Sequence, residues 1–356
     1  MDLEVKRDDF RTTRTVDRGM PALEEGQTLL RVSRFALTAN NVTYAVAGEG
    51  LSYWNFFPAG EGWGRVPVWG YADVEASRAS GLSEGERVYG YLPMSSHFVV
   101  APTRVTDAAF VDATPHRSNL PTAYNQYQRV AGASDYDPAR EREYAVLRPL
   151  FVTSFLIDDW LDDNDTFGGR SVVLASASSK TALGLAYLLS SRDVEVVGLT
   201  SSGNEAFVRS VGYYDRVVTY DDIRSLPADV PSVFVDMAGG GRVLADVHNR
   251  LAGALRHSCL VGITHWEDER PAGELPGPSP TFFFAPDQLK KRRADWGPGG
   301  VEGRIERCWG DFLRSVDEWL TIEEHQGFGT IEPTWLELVE GRAAPNVGHV
   351  VALSDP

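Results

Sequence analysis

The sequence predicts an α/β protein: a doubly wound parallel sheet over residues 151–305, joined to a β-rich domain formed by residues 1–150 and 306–356. From Arg170 onward, short apolar runs alternate with helical stretches, the pattern of βαβ units with right-handed crossovers. The residues before them are punctuated by Gly, Pro and Trp, and their apolar side chains tend to alternate with polar ones. A length of 356 residues suits two domains of roughly 150 residues each.

In the β-rich part, residues 28–35 alternate as a half-buried strand does. Residues 48–70 carry no helical period and read as turns, while 85–93 and 97–102 read as two short strands. The polar and aromatic stretch 116–148 reads as a loop or mixed insertion, and 150–161 has helical spacing. Strands are then expected over 170–175, 194–200, 216–220, 232–236 and 258–264. Helices are expected between them over 181–190, 204–211 and 243–255. Beyond a Pro/Gly-rich stretch, residues 307–320 form an amphipathic helix and 335–340 a short one. Residues 347–353 form a closing strand.

Composition narrows the function classes. A net charge of −16 opposes a nucleic-acid partner, which needs a basic stripe, and the sole basic cluster is Lys290, Lys291, Arg292 and Arg293. Two cysteines, Cys259 and Cys308, are too few for a disulfide framework or a cysteine-rich zinc site. The charged first residues lack the apolar centre of a signal peptide, and no run of about 18 apolar residues predicts a membrane span. A cytoplasmic protein acting on a small molecule is the expectation.

Three segments carry a resemblance: EGQTLLRVSRFALTAN at 25–40, GLSEGERVYG at 81–90 and GRAAPNVGHVV at 341–351. Together with the βαβ run, they make the chain similar to the medium-chain dehydrogenase/reductase superfamily, nearest its zinc-free quinone-reductase and enoyl-reductase branch. The resemblance implies a Rossmann-type nucleotide-binding domain and a GroES-like β-rich domain. It also implies a homodimer. Residues 151–158 and 176–184 further resemble a bacterial family of unknown function within that superfamily.

In the superfamily, a glycine-rich turn after the first strand lets backbone N–H groups approach a pyrophosphate. Here the turn runs from Ala175 to Ala182, with Ser176, Ser178 and Thr181 where glycines would stand, together with Ser179 and Lys180. Hydroxyls and an ammonium can supplement the donors of a helix N-terminus. The alternative is a helix capped by Ser178 or Ser179, with Lys180 in solvent. At the second strand's end, Thr200, Ser201 and Ser202 precede any carboxylate, so NADP (as NADPH) is preferred over NAD. Arg209 and the basic cluster are additional phosphate partners or surface charges. By the same resemblance, Thr153, Gly239 and Thr264 contact the cofactor, with His265 as an alternative to Thr264.

A zinc-dependent relative would carry Cys, His and acidic ligands near its cleft. The corresponding position here reads Trp69-Gly70-Tyr71, so no metal is expected. Polar residues after the first long strand line the nicotinamide pocket in the zinc-free branch. This makes Tyr44 a candidate proton donor and Asn41 a candidate orienting group; both equally suit a structural turn. Tyr124 belongs to a second polar-aromatic cluster with Asn125 and Tyr127, and reads as catalytic or as an aromatic contact under a loop.

Two classes of function follow. One is a zinc-independent, NADPH-dependent reductase of a quinone, enone or other small conjugated carbonyl. The other is a non-redox lyase, isomerase or ligand-binding protein on the same scaffold with a degenerate cofactor site. The altered phosphate turn favours the second, and the acid-free second strand favours the first.

Overall fold

The computed structural model describes residues 1–133, 136–262 and 274–353. It divides into two compact units, Met1–Val146 with Thr321–Pro356, and Leu147–Leu320. The boundary expected at 305/306 falls inside a helix, Gly300–Val316, which stays whole in the second unit.

The second unit is built on six parallel strands. In chain order they are Ser171–Ala175, Glu195–Thr200, Arg216–Thr219, Ser232–Asp236, Leu255–Leu260 and Thr281–Phe282. Across the sheet they run third, second, first, fourth, fifth, sixth, the Rossmann order. The order reverses beside the first strand, so a crevice opens at the carboxyl ends of the first and fourth strands. Every residue of Ser171–Ala175 and of Ser232–Asp236 is buried, as required of strands covered on both faces. Val173, Leu199, Phe234 and Val247 belong to the core on one of those faces.

The expected alternation is present, with shifted ends. The helix expected over 243–255 is Gly241–Leu251, and the strand expected over 258–264 is Leu255–Leu260. The basic cluster lies on an unforeseen helix, Ala285–Trp296. Three of its four charges are spent on neighbours: Lys291 and Arg292 both pair with Asp163, Arg292 also with Asp159, and Arg293 with Glu302.

In the first unit, a nine-stranded sheet holds the long strands Thr28–Leu37, Pro67–Ser77 and Arg87–Pro93 side by side. Its pairings are antiparallel except at one edge, where Thr321–Gln326 runs parallel to the closing strand Val347–Ala352. The edge strand carries no clear apolar alternation and escapes a periodicity reading, while the N-terminal hairpin pairs the short alternating strand Asp2–Lys6 with the largely polar Asp9–Val16.

Two segments differ in kind from expectation. Residues 39–46 form a helix, Ala39–Val46, where a polar turn was expected. The long helix begins at Glu141, inside the stretch read as a loop, and runs to Asp163 through Pro149. Buried Glu141 holds its start: it accepts two bonds from Arg87, at 2.6 and 2.8 Å, and one each from Arg34 and Tyr136. The two arginines are distant in sequence, so helical periodicity does not reveal the first turns. Among the described residues, no helix is long and apolar enough to cross a membrane.

Candidate functional site

The crevice of the second unit is a cleft of about 520 Å³ at the carboxyl ends of the first four strands. Ala175 and Ser176 form its floor, Ser201 and Ser202 one wall, Tyr220 and Asp221 another, and Asp236, Gly240 and Arg242 the fourth-strand side.

The first bend keeps a glycine-like backbone with a serine in it. Ser176 sits at φ 53°, in the left-handed region that glycine adopts without a Cβ penalty. The bend is tied to the second strand: Ala177 donates its N–H to the Leu199 carbonyl at 2.9 Å, and the Tyr214 hydroxyl donates to the Ala177 carbonyl at 2.8 Å. Gly198 makes this approach possible, because a Cβ there would lie 2.9 Å from both Ala177 Cβ and Tyr214.

The remaining bend residues divide by role. Ser179 is the N-cap of the helix Lys180–Leu189, its hydroxyl accepting from the Ala182 N–H at 3.3 Å. That is the capping alternative, realised by Ser179 and not by Ser178. The Ser178 hydroxyl accepts from Asn204 Nδ2 at 3.1 Å. The Thr181 carbonyl accepts from buried Ser154 at 2.8 Å. Lys180 is half-buried, not solvated, and burial pulls its pKa down to about 8. None of Ser178, Ser179, Lys180 and Thr181 is among the residues lining the cleft.

Around the rim, Ser201 and Ser202 are exposed, whereas Thr200 is buried with a hydroxyl that has no hydrogen-bond partner. Asp236 is buried and its Oδ1 accepts from the N–H groups of Ala238 and Gly239, both at 3.0 Å. Gly239 holds this turn at φ 74°. The Tyr220 hydroxyl accepts from the Ser176 N–H at 3.1 Å. Burial raises the Tyr220 pKa, Ser176 opposes that, and nearby Asp236 adds to it.

Several expected contacts lie elsewhere. The Thr153 hydroxyl turns back onto the Pro149 carbonyl of its own helix at 3.1 Å. Arg209 is committed to Glu205 and the Val217 carbonyl. Thr264 and His265 lie outside the described residues. Sequence reasoning missed Tyr220 and Arg242. The signal for Arg242 was its place one residue past Gly239-Gly240-Gly241, in the first turn of the helix after the fourth strand. It is exposed, and among the described residues its ion pairs are the long contacts to Asp221 at 3.4 Å and Asp246 at 3.6 Å.

In the first unit, the tyrosines singled out from the sequence come together. Tyr44 and Tyr124 pack edge to face with ring centroids 6.4 Å apart, and Tyr53 packs against both. Tyr44 is buried and its hydroxyl accepts from the Trp69 indole at 3.2 Å, whereas Tyr124 is half-buried and shares a 3.2 Å bond with Tyr53. Burial, reinforced by Tyr53, holds the pKa of Tyr44 and of Tyr124 above that of a free phenol. Asn125 and Tyr127 are structural: both bind Arg117, which pairs with Asp112.

Asn41 is a correction. Its Oδ1 accepts from the Thr38 N–H at 2.7 Å in a capping box, and its Nδ2 donates to the Pro67 carbonyl at 2.8 Å. The oxygen and one N–H of the amide are thus engaged in holding the helix Ala39–Val46, the structural reading of this residue.

Residues 35–344 match the family described as "Protein of unknown function (DUF2855)". The chain belongs to that family. No curated protein sequence matches it. Among solved structures, CurA from Vibrio vulnificus in complex with NADPH is similar over 97% of this chain and 94% of its own, at 15% identity and a TM-score of 0.63. YHDH of E. coli K-12 with bound NADPH is similar over 99% of this chain and 100% of its own, at 14% identity and a TM-score of 0.58. Mycobacterial Rv1454c complexed with NADPH covers 99% of each chain, at 14% identity and a TM-score of 0.59. This DUF2855 chain therefore has the fold of those proteins, and the likeness to the medium-chain dehydrogenase/reductase fold and to a family of unknown function is borne out.

Proposed function

We propose that the cleft binds NADPH and that the chain is a zinc-independent reductase of a quinone, enone or other small conjugated carbonyl. The observation that carries this is the cleft itself. It opens where the Rossmann strand order reverses, with exposed Ser201, Ser202 and Arg242 at its rim. Thr200, the last residue of the second strand, stands where an NAD site usually carries an acid. Three similar structures, CurA, YHDH and Rv1454c, carry NADPH.

In this reading Ser201, Ser202 and Arg242 grip the 2′-phosphate, Arg242 exchanging its long contacts for a charge-assisted one. Ser176, on the cleft floor, faces the diphosphate, and protonated Lys180, which does not line the cleft, adds positive charge from the start of the adjoining helix. When bound, the nicotinamide supplies a hydride. Tyr124, the more exposed of the two tyrosines, donates the proton. Its raised pKa keeps the phenol protonated across the physiological range, while Tyr53 and buried Tyr44 hold the ring in place. Zinc independence is part of the proposal, because Trp69-Gly70-Tyr71 replaces the ligand-bearing segment of zinc-dependent relatives.

One observation favours the non-redox alternative. The Ser176 N–H, a natural diphosphate donor, is already satisfied by Tyr220. Titration of the purified chain with NADPH and NADH, followed by nicotinamide fluorescence, separates the readings. Saturable enhancement with NADPH, weaker with NADH, supports the proposal, and oxidation of bound NADPH by a quinone or enone completes it. Absence of binding removes the cofactor assignment. Binding without turnover across a quinone and enone panel removes the reductase assignment.

A further inference from the structure

The edge of the first unit's sheet holds a side-chain group that the proposed reaction does not use. On the parallel strands Thr321–Gln326 and Val347–Ala352, Glu323 is in register with His349, and His325 is two residues further along the same face. One ligand atom from each of Glu323, His325 and His349 lies within 4.8 Å of the others. His325 Nε2 is 3.1 Å from His349 Nδ1, and the Glu323 carboxylate is 3.9 Å from the same Nδ1. Among the described residues, no other cluster of three such side chains meets this spacing.

We propose that Glu323, His325 and His349 bind a divalent cation of the zinc class. Two imidazole nitrogens each about 2.0–2.1 Å from a tetrahedral zinc stand roughly 3.3 Å apart, close to the spacing found here. Two imidazoles and a carboxylate suit zinc, nickel or cobalt better than magnesium or calcium, which take oxygen ligands. His349 is 3% exposed, which fixes its ring, whereas Glu323 is exposed and leaves an approach for the ion and for a water in the fourth position. With Nδ1 on the ion, the opposite nitrogen of His349 carries its proton toward Glu337, whose carboxylate is 4.0 Å away. That distance exceeds a hydrogen bond, so Glu337 must close on the ring as the ion binds to complete a carboxylate–histidine–metal relay, which sets the tautomer and strengthens the ligand.

Glu337 belongs to the helix Ile331–Val339, between the two strands in sequence. The ion would join strand, helix and strand of one local unit and pin an exposed sheet edge. None of Glu323, His325 and His349 is among the residues lining the cleft, and the role proposed for the ion is structural.

The test uses the full chain without a histidine tag, stripped with chelator and titrated calorimetrically with zinc chloride. Cobalt chloride in parallel reports tetrahedral geometry through its visible absorption. One zinc per chain and a raised Tm are expected. Half-buried His325→Ala should abolish the high-affinity phase, as should His349→Gln, and Glu323→Gln should weaken it. Glu337→Gln should weaken it about 10- to 100-fold, the range for an outer partner of a ligating histidine. NADPH titration serves as a fold control and should be unchanged in His325→Ala. Absence of saturable uptake by the wild-type chain overturns the proposal. Uptake unaffected in both histidine variants overturns it too, leaving the pair as a proton-sharing hydrogen bond.

Discussion

The backbone N–H of Ser176 donates to the Tyr220 hydroxyl over 3.1 Å, and it does so from a left-handed conformation with φ at 53°. Tyr220 thus holds in place the donor that a diphosphate would need. Tyr220→Phe removes the competitor and should tighten NADPH by about 0.5–1.5 kcal/mol, the net worth of one hydrogen bond. Fluorescence titration of the variant checks this, and a weakened affinity would make the hydroxyl part of the binding site.

The conformation of Ser176 carries a cost of its own. Left-handed backbone costs an L-residue roughly 1–2 kcal/mol, which glycine avoids, less glycine's greater entropy loss on folding. Ser176→Gly should therefore raise stability by about 0.5–1 kcal/mol without weakening NADPH. Chemical denaturation reads the first effect. A fall in stability would show that the serine hydroxyl's contact with Tyr220 outweighs the strain.

Arg242 should decide between the two nicotinamide cofactors. Its Ala variant is expected to weaken NADPH about tenfold, in line with one charge-assisted hydrogen bond at an exposed site, and to leave NADH unchanged. The loss should shrink at high salt, because an exposed charge is screened. Equal losses for both cofactors would place Arg242 off the 2′-phosphate.

Lys180 links cofactor and pH. Burial lowers its pKa to about 8, so in the free protein the ammonium is progressively lost as pH rises through 8. NADPH affinity should fall over that range, and Lys180→Met should flatten the profile and weaken binding below pH 8. The stability effect has the opposite sense. Between about pH 8 and the ordinary lysine value near 10.4, the unfolded chain holds the proton that the folded chain has released, so stability rises with pH there. At pH 7 the folded protein carries a charge in an unfavourable place. Lys180→Met should accordingly stabilise it, on the order of 1–3 kcal/mol. A pH-independent affinity in the wild type would remove Lys180 from the diphosphate.

Asn41 and Tyr124 should separate structure from chemistry. Asn41→Ala loses the capping box and leaves the Pro67 carbonyl without its donor, which should cost about 1–3 kcal/mol of stability. NADPH affinity in the folded variant should be untouched. Tyr124→Phe should keep the fold and the cofactor while lowering kcat/KM at least a hundredfold, the smaller end of general-acid contributions. A Tyr124→Phe enzyme with full activity moves the proton donor elsewhere.

The alternation of apolar runs with helical spacing by itself determined the parallel sheet and the position of its first bend. Those signals are local: burial on both faces demands a continuous apolar strand, and each crossover demands a helix. The hydroxyl residues Ser176, Ser201 and Ser202 were legible for the same reason, since strand ends follow from strand positions. Only the tertiary structure decided which bend residue caps the helix, because Ser178 and Ser179 differ in the partners that folding brings to them. It also decided that Glu141 starts a helix beneath Arg34 and Arg87, that Tyr44 meets Tyr124, and that Tyr220 and Arg242 share a cleft with Ser176. These are contacts between residues distant in the chain, set by packing and charge pairing, and no periodicity within one segment encodes them.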